Sequence, residues 1–146
     1  MIKDKYQRWT AMNRSIPSKP YRTLLEKGLI KGRVLDYGCG RGMDVQDLES
    51  KNFTVYGFDP AHFPIKPKGK FNTILATYVL NIILHPLERI NTIKEIQSYL
   101  RKNGNAYVTV RRDVPREGTF SQRWIELPFV SEHKTSAFEI YRIENI

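Results

Sequence analysis

Ten residues, Arg33 to Gly42, constrain this chain more than any other stretch of it. Val34 and Leu35 form a short apolar run that meets an acid, Asp36, and then three glycines at alternate positions, Gly38, Gly40 and Gly42. That punctuation predicts a buried strand turning sharply into a helix, because glycine adopts positive φ at little cost and leaves bare backbone that a ligand can approach. The next residues agree. Met43-Asp44-Val45-Gln46-Asp47-Leu48-Glu49 puts apolar side chains on one helical face and acids in the first turns. Asn52 breaks that helix, and Phe53 to Phe58 reads as a second strand delivering another acid, Asp59, to its end. Strand, glycine turn, helix and acid-tipped strand predict a doubly wound α/β fold whose ligand lies beyond the C-terminal ends of the strands.

Charge and spacing narrow the ligand. A dinucleotide site places glycines at the first, third and sixth positions so that a pyrophosphate can lie on the helix N-terminus. Counting from Gly38, the sixth position is Met43, and Asp36 stands where it would repel a pyrophosphate. S-adenosylmethionine has no phosphate, and its sulfonium and ammonium groups tolerate nearby carboxylates. At this point the chain resembles the class I S-adenosylmethionine-dependent methyltransferases, whose first motif is an acid followed by Gly-x-Gly-x-Gly and whose second is an acid ending the next strand. A narrower resemblance, carried by Thr10-Ala11, Arg14, Ser18, Pro20, Asp36 to Gly42, Asp44, Gly57-x-Asp59-Pro60, Tyr78 to Asn81 and Gly118-Thr119-Phe120, is to the methyltransferase domain associated with DNA phosphorothioation and its small bacterial and phage relatives. The resemblance implies S-adenosylmethionine as cofactor, with Asp36, Gly38, Gly40 and Asp59 matching residue by residue. Tyr37, Cys39, Gly42, Pro60 and Thr77 would complete the surroundings of that site.

The expected architecture is a reduced Rossmann-like fold. Pro60 to Lys70 is too short, and too rich in proline and lysine, for the helix and strand that usually follow the second motif. The outer strand is therefore expected to be missing, leaving the second strand at an edge, with Phe58, His62 and Phe63 as candidates either to pack on an adenine or to cover that edge. Phe71 to Thr77 is the next strand, and Tyr78 and Asn81 beyond it are the catalytic-side candidates, Asn81 as an acceptor that could orient an amine or as a helix N-cap. His85-Pro86 should begin a helix with Leu87, Ile90, Ile93, Ile96 and Leu100 on its core face, ended by Arg101, Lys102 and Gly104. Asn105 to Val110 follows as a buried strand, and Arg111-Arg112 emerges at the ligand edge, either to grip an anion or to be solvated. Gln122 to Leu127 and Ser136 to Ile143 alternate apolar and polar residues and predict a terminal antiparallel pair, which would complete the small sheet.

At 146 residues the chain should be one domain, with a basic helical segment over residues 1–30 and the core over 31–146. The N-terminal stretch interleaves cations with Tyr6 and Trp9 and can be read as a nucleic-acid clamp, a lid or a frayed end. A net charge of +9, together with the context that the narrower resemblance implies, makes nucleic acid the leading acceptor and partner, with a small-molecule methyl acceptor or a non-catalytic binding accessory as alternatives. One cysteine excludes an internal disulfide and suits a reducing cytoplasm. No apolar run approaches a membrane span, no secretory leader opens the chain, and three scattered histidines do not suggest a metal site.

Overall fold

A computed structural model describes residues 16–116 and 124–145. The N-terminal clamp-or-lid stretch up to Ser15, the Gly118-Thr119-Phe120 motif, and Gln122 and Arg123 lie outside the described residues.

The sheet has six strands in the order β2-β1-β3-β4-β6-β5. In chain order the elements are α1 (Lys19–Glu26), β1 (Val34–Tyr37), α2 (Met43–Ser50), β2 (Val55–Phe58), β3 (Phe71–Thr77), a 3-10 turn (Leu80–Ile82), α3 (Pro86–Ser98), β4 (Leu100–Arg111), β5 (Val130–Lys134) and β6 (Phe138–Glu144). β1 to β4 are parallel, β6 joins β4 antiparallel, and β5 closes the far edge. This is the reduced Rossmann-like sheet expected from the sequence, mostly parallel with a C-terminal antiparallel pair, and β2 is indeed an edge strand. No helix or strand fills 60–70, where the only pairing is an isolated bridge between Asp59 and Phe63.

Strand alternation divides the core. Leu35, Tyr37, Ile74, Ala76, Ala106 and Val108 pack on one face with Ile96 of α3. Val34, Leu75, Tyr107 and Ile140 pack on the other with Tyr21 and Leu24 of α1 and Leu48 of α2. Helix ends on the second face are sealed as the sequence suggests. Gly28, at φ 69°, sends its N–H to the Leu25 carbonyl at 3.0 Å while Leu29 reaches the Leu24 carbonyl at 3.1 Å. Asn52 does the same for α2 at φ 68°, its N–H on Glu49 and that of Phe53 on Leu48.

Four expectations are corrected. The apolar stripe of α3 is not all core, since Leu87 is 74% and Ile90 47% exposed while Thr92 and Ile96 are buried. Residues three apart drift about 60° backwards per step on a helix of 3.6 residues per turn, so Leu87 and Ile96 finish on opposite sides. Arg101, Lys102 and Gly104 do not stop α3, which ends at Ser98; they belong to an irregular start of β4, where the register jumps from Phe71↔Leu100 to Thr73↔Asn105. Gly104 is needed there, because a Cβ would lie 2.9–3.1 Å from the carbonyls of Arg101, Asn72 and Phe71. The partner of β6 is Val130–Lys134, not Gln122 to Leu127, and the described part, Trp124 to Leu127, is not strand. An edge strand with one open face has no need of apolar alternation, so β5 was invisible to a search for it.

Nor is Arg112 available to an anion. It is buried, donating from Nε to Glu139 at 3.0 Å, from Nη2 to the Tyr141 hydroxyl at 2.7 Å and from Nη1 to the Ile125 carbonyl at 2.8 Å. Its guanidinium lies 4.5 Å from the Trp124 ring centroid. Burial works to raise the Glu139 carboxyl, but hydrogen bonds from Ser131 and Arg112 hold it below its usual value. A depressed folded pKa stabilises the fold above the unfolded carboxylate value and is lost as pH falls through the folded one. Acid titration followed by circular dichroism should therefore show stability draining away below about pH 4, and less steeply in Glu139→Gln.

Candidate cofactor crevice

Beyond the C-terminal ends of β1 and β2 the chain makes a tight acidic turn. Register places Asp36 of β1 opposite Gly57 of β2 and Leu75 of β3, and Tyr37 opposite Phe58. The N–H groups of Gly38 and Cys39 both donate to the Phe58 carbonyl, at 2.7 and 2.9 Å, which binds the turn to the edge strand. Gly38, Gly40 and Gly42 have φ of 79°, 56° and 85°, and Gly42 is the N-cap of α2. The missing side chains serve packing as well as approach. A Cβ on Gly38 would overlap Val79 Cγ2, and one on Gly42 would meet the Phe63 ring at 3.3 Å.

Three carboxylates surround this turn. Asp36 is buried on the face that α1 covers, in a strand whose four residues are all buried. Asp44, in the first turn of α2, accepts from the Ser18 N–H at 2.7 Å and the Ser18 hydroxyl at 2.6 Å, so it clamps the N-cap of α1 onto the helix that opens from the glycine turn. Asp59 Oδ2 accepts from the N–H groups of Ala61 and His62, both at 3.0 Å, which folds the short 59–63 loop back on itself. Their joint field registers on Cys39, whose thiol is pushed well up, first by burial and then by Asp36 and Asp59. A reactive thiolate is thereby disfavoured.

The remaining candidates divide. Tyr37 is fully buried, its ring 5.3 Å from that of Phe58 and its hydroxyl donating to Glu95 on α3; only its backbone borders the turn. Phe58 is core as well, so the adenine-packing expectation for its side chain fails for lack of exposure. Pro60 is buried, while Gly38, Cys39, Gly40, Asp59, His62 and Thr77 are half-buried and Phe63 is exposed, together lining the open end. The Nε2 of His62 is buried with no hydrogen-bond partner among the described residues.

On the acceptor side, Tyr78 has a left-handed backbone at φ 61°, rare for a bulky residue, and its N–H donates to the Thr109 carbonyl at 2.9 Å. Arg111 stands 5.8 Å from its ring centroid while holding Asp113 through two hydrogen bonds of 2.7 and 2.8 Å. Asn81 is fully buried within the 3-10 turn. It caps neither helix: Val79 is the N-cap of that turn and His85 that of α3, the latter without a side-chain bond. The clamp through Asp44 and the strain at Tyr78 had no local sequence signal beyond an acid and an aromatic.

The turn thus combines a glycine backbone packed by Val79 and Phe63 with the carboxylates of Asp36, Asp44 and Asp59, and the exposed Arg41 stands between its last two glycines. No helix among the described residues is long and apolar enough to cross a membrane.

Comparison with known proteins agrees with this fold. A model of the methyltransferase domain matches residues 8–139. No curated protein sequence matches the chain. Among solved structures, one from work on converting a disulfide bond into a thioacetal group during echinomycin biosynthesis superposes with a TM-score of 0.56 at 21% identity, covering 67% of this chain and 52% of that one. The 1,6-didemethyltoxoflavin-N1-methyltransferase of Burkholderia thailandensis, bound to 1,6-didemethyltoxoflavin and S-adenosylhomocysteine, gives 0.52 at 18% identity over 85% of this chain and 59% of that one. The N-methyltransferase NodS of Bradyrhizobium japonicum WM9, in complex with S-adenosylhomocysteine, gives 0.57 at 15% identity over 94% and 91%. The chain thus spans about half the length of the first relative, 52%, and 59% of the second. At such identities the likeness is one of fold, and it lends nothing to the narrower resemblance to phosphorothioation-associated domains. Family match and fold together place the chain in the class I S-adenosylmethionine-dependent methyltransferase-domain family.

Proposed function

We propose that the chain binds S-adenosylmethionine in the acidic glycine turn and transfers its methyl group to a small-molecule acceptor. The observation that carries this reading is the positive-φ turn of Gly38, Gly40 and Gly42, tied to the end of β2 by the Phe58 carbonyl, with the carboxylates of Asp36 and Asp59 at the ends of the two strands it joins, a setting that favours a cation over a phosphate. When bound, the cofactor supplies an electrophilic methyl on a sulfonium whose departure as a neutral thioether needs no acid. The protein's share is positioning. In this reading Asp59 takes the ribose hydroxyls through the carboxylate that its loop already holds rigid, and Asp36 and the backbone of Gly38 and Gly40 face the cationic end. His62 and Phe63 flank the base, while Thr77, Tyr78 and Asn81 border the reacting methyl and the acceptor.

A small acceptor suits what lies around that end. Leu84, Leu87 and Ile90 are exposed along the chain leading away from the 3-10 turn, offering apolar surface to an organic body. The two arginines ending β4 are occupied by Asp113 and Glu139. The named neighbours include N-methyltransferases, one of them bound to a small heterocycle, which also favours this acceptor class. The alternative of a nucleic-acid acceptor rested on net charge and on the narrower family resemblance, which the comparisons do not support.

Calorimetric titration with S-adenosylhomocysteine tests the site, and transfer of labelled methyl to a panel of small amines, DNA and RNA tests the reaction and its acceptor. Binding without transfer to any acceptor would convert the reading to a cofactor-binding accessory. A second expectation concerns Gly38. Replacement by Ala, at φ 79° and against Val79 Cγ2, should cost about 1–3 kcal/mol of stability and most of the cofactor affinity. Adding Val79→Ala should return part of the stability, measurable by thermal melts, but not the backbone strain.

A further inference from the structure

Cations scattered along the sequence converge at the N-terminal ends of the parallel strands, the edge of the sheet opposite the crevice. Lys31–Arg33 immediately precedes β1, Lys68–Lys70 precedes β3, and Arg101 and Lys102 lie in the irregular start of β4. Hydrogen bonds knit these segments around Phe71 and Asn72. The Arg33 carbonyl accepts from Asn72 and Thr73 at 2.8 and 3.2 Å, Asn72 Oδ1 accepts from the Arg33 N–H at 2.9 Å, and Thr73 Oγ1 accepts from the Lys31 N–H at 3.0 Å while donating to its carbonyl at 2.7 Å. Arg33 Nη2 donates to the Lys68 carbonyl at 2.9 Å, with its guanidinium 4.5 Å from the Phe71 centroid. Gly104 packs the third segment against the carbonyls of Phe71 and Asn72.

This fixed edge carries unneutralised charge. Lys31, Lys68, Lys70, Arg101 and Lys102 are exposed, and none has a carboxylate partner among the described residues. Of the acids whose elements reach this end, Glu95 is engaged by Lys66 at 2.9 Å and Glu144 by Arg142 at 3.0 Å, while Glu26 and Glu49, in the last turns of α1 and α2, are exposed and ion-paired with none of the five cations. None of the exposed large apolar side chains belongs to the three segments. An acidic protein partner would ordinarily need apolar or aromatic anchors to desolvate, and a single strand would need aromatic faces on which bases stack. Exposed cations carried on hydrogen-bonded segments, without apolar anchors beside them, suit phosphates.

We propose that this edge docks the phosphate backbone of a nucleic-acid duplex, as a tether separate from the methyl-transfer site. The interaction is sequence-independent and leaves the crevice free, so it neither requires the cofactor nor makes the duplex the acceptor. Fluorescence anisotropy with a short duplex DNA, the same sequence as duplex RNA, the single strand, and polyglutamate tests it. Expected is duplex binding unchanged by S-adenosylhomocysteine, with log affinity falling against log salt at a slope of about −3 to −4.5 for DNA if most of the five cations engage. The variant Lys68→Gln/Lys70→Gln/Arg101→Gln/Lys102→Gln should lose at least about 30-fold in affinity at low salt and flatten the slope to about −1, while titrating S-adenosylhomocysteine as the parent does. Stronger binding of duplex DNA or of duplex RNA identifies which backbone is taken, and either supports the proposal. No duplex binding at low salt, an unchanged slope in the variant, or tighter binding of single strand or polyglutamate overturns it. Cofactor titration of the parent separates these failures from failure of the crevice assignment.

Discussion

Asp59→Asn should weaken S-adenosylhomocysteine binding about 10- to 100-fold while leaving the melting temperature within about 2 °C of the parent. The asymmetry follows from how the carboxylate is used. Oδ2 already accepts from Ala61 and His62, and an asparagine carbonyl can accept the same two N–H groups, so the 59–63 loop keeps its shape. What disappears is charge. Hydrogen bonds to an ionised acceptor contribute about 1.5–3 kcal/mol, against about 1 for neutral ones, and the ribose hydroxyls would now face an amide. The expected loss of binding energy corresponds to that fold-change. Asp59→Ala is the poorer experiment, since it removes the loop's own anchor together with the ligand's and cannot separate them. Undiminished affinity in Asp59→Asn, measured by calorimetry, would move the nucleoside away from the end of β2.

The glycine turn and its flanking strands were legible because their signals are local. Glycine at alternate positions and two acids at the ends of successive strands sit within 24 residues, Asp36 to Asp59, and each acts through backbone φ or charge that needs no distant partner. Even the missing outer strand could be read, because eleven residues from Pro60 to Lys70 cannot form a crossover. What failed depends on contacts far apart in the chain. Arg112 reads as a ligand-edge cation until Glu139, 27 residues on, is seen beside it. Tyr37 reads as part of a binding turn, yet strand alternation turns its ring toward α3, where Glu95 waits 58 residues away. The basic edge was hidden for the same reason. Its segments meet through pairs separated by 35 to 42 residues, so along the sequence the charge looks evenly spread. Helix α3 failed differently: its apolar residues recur every third position, a spacing that resembles a stripe in sequence and winds around the cylinder in space.

Arg112→Met should destabilise the domain by about 3–5 kcal/mol, a fall in melting temperature of about 10 °C, and should cost more than Glu139→Gln. Removing the guanidinium strands a buried carboxylate, takes the donors from the Tyr141 hydroxyl and the Ile125 carbonyl, and takes one of the two cations on Trp124, leaving Arg116. Glu139→Gln leaves Arg112 with the Ile125 and Arg111 carbonyls and with an amide oxygen still able to accept, so less is orphaned. The two losses should not add, because the double variant relieves the unpaired charge that dominates Arg112→Met; thermal melts of the four proteins would give the coupling directly. Burial, no longer opposed by the guanidinium, should also raise the Glu139 carboxyl in Arg112→Met, so that variant recovers part of its deficit as pH falls and the residue neutralises. A cost below about 1 kcal/mol, or equal costs for the two single variants, would mean that the segment around Trp124 is held to the end of β4 by packing alone.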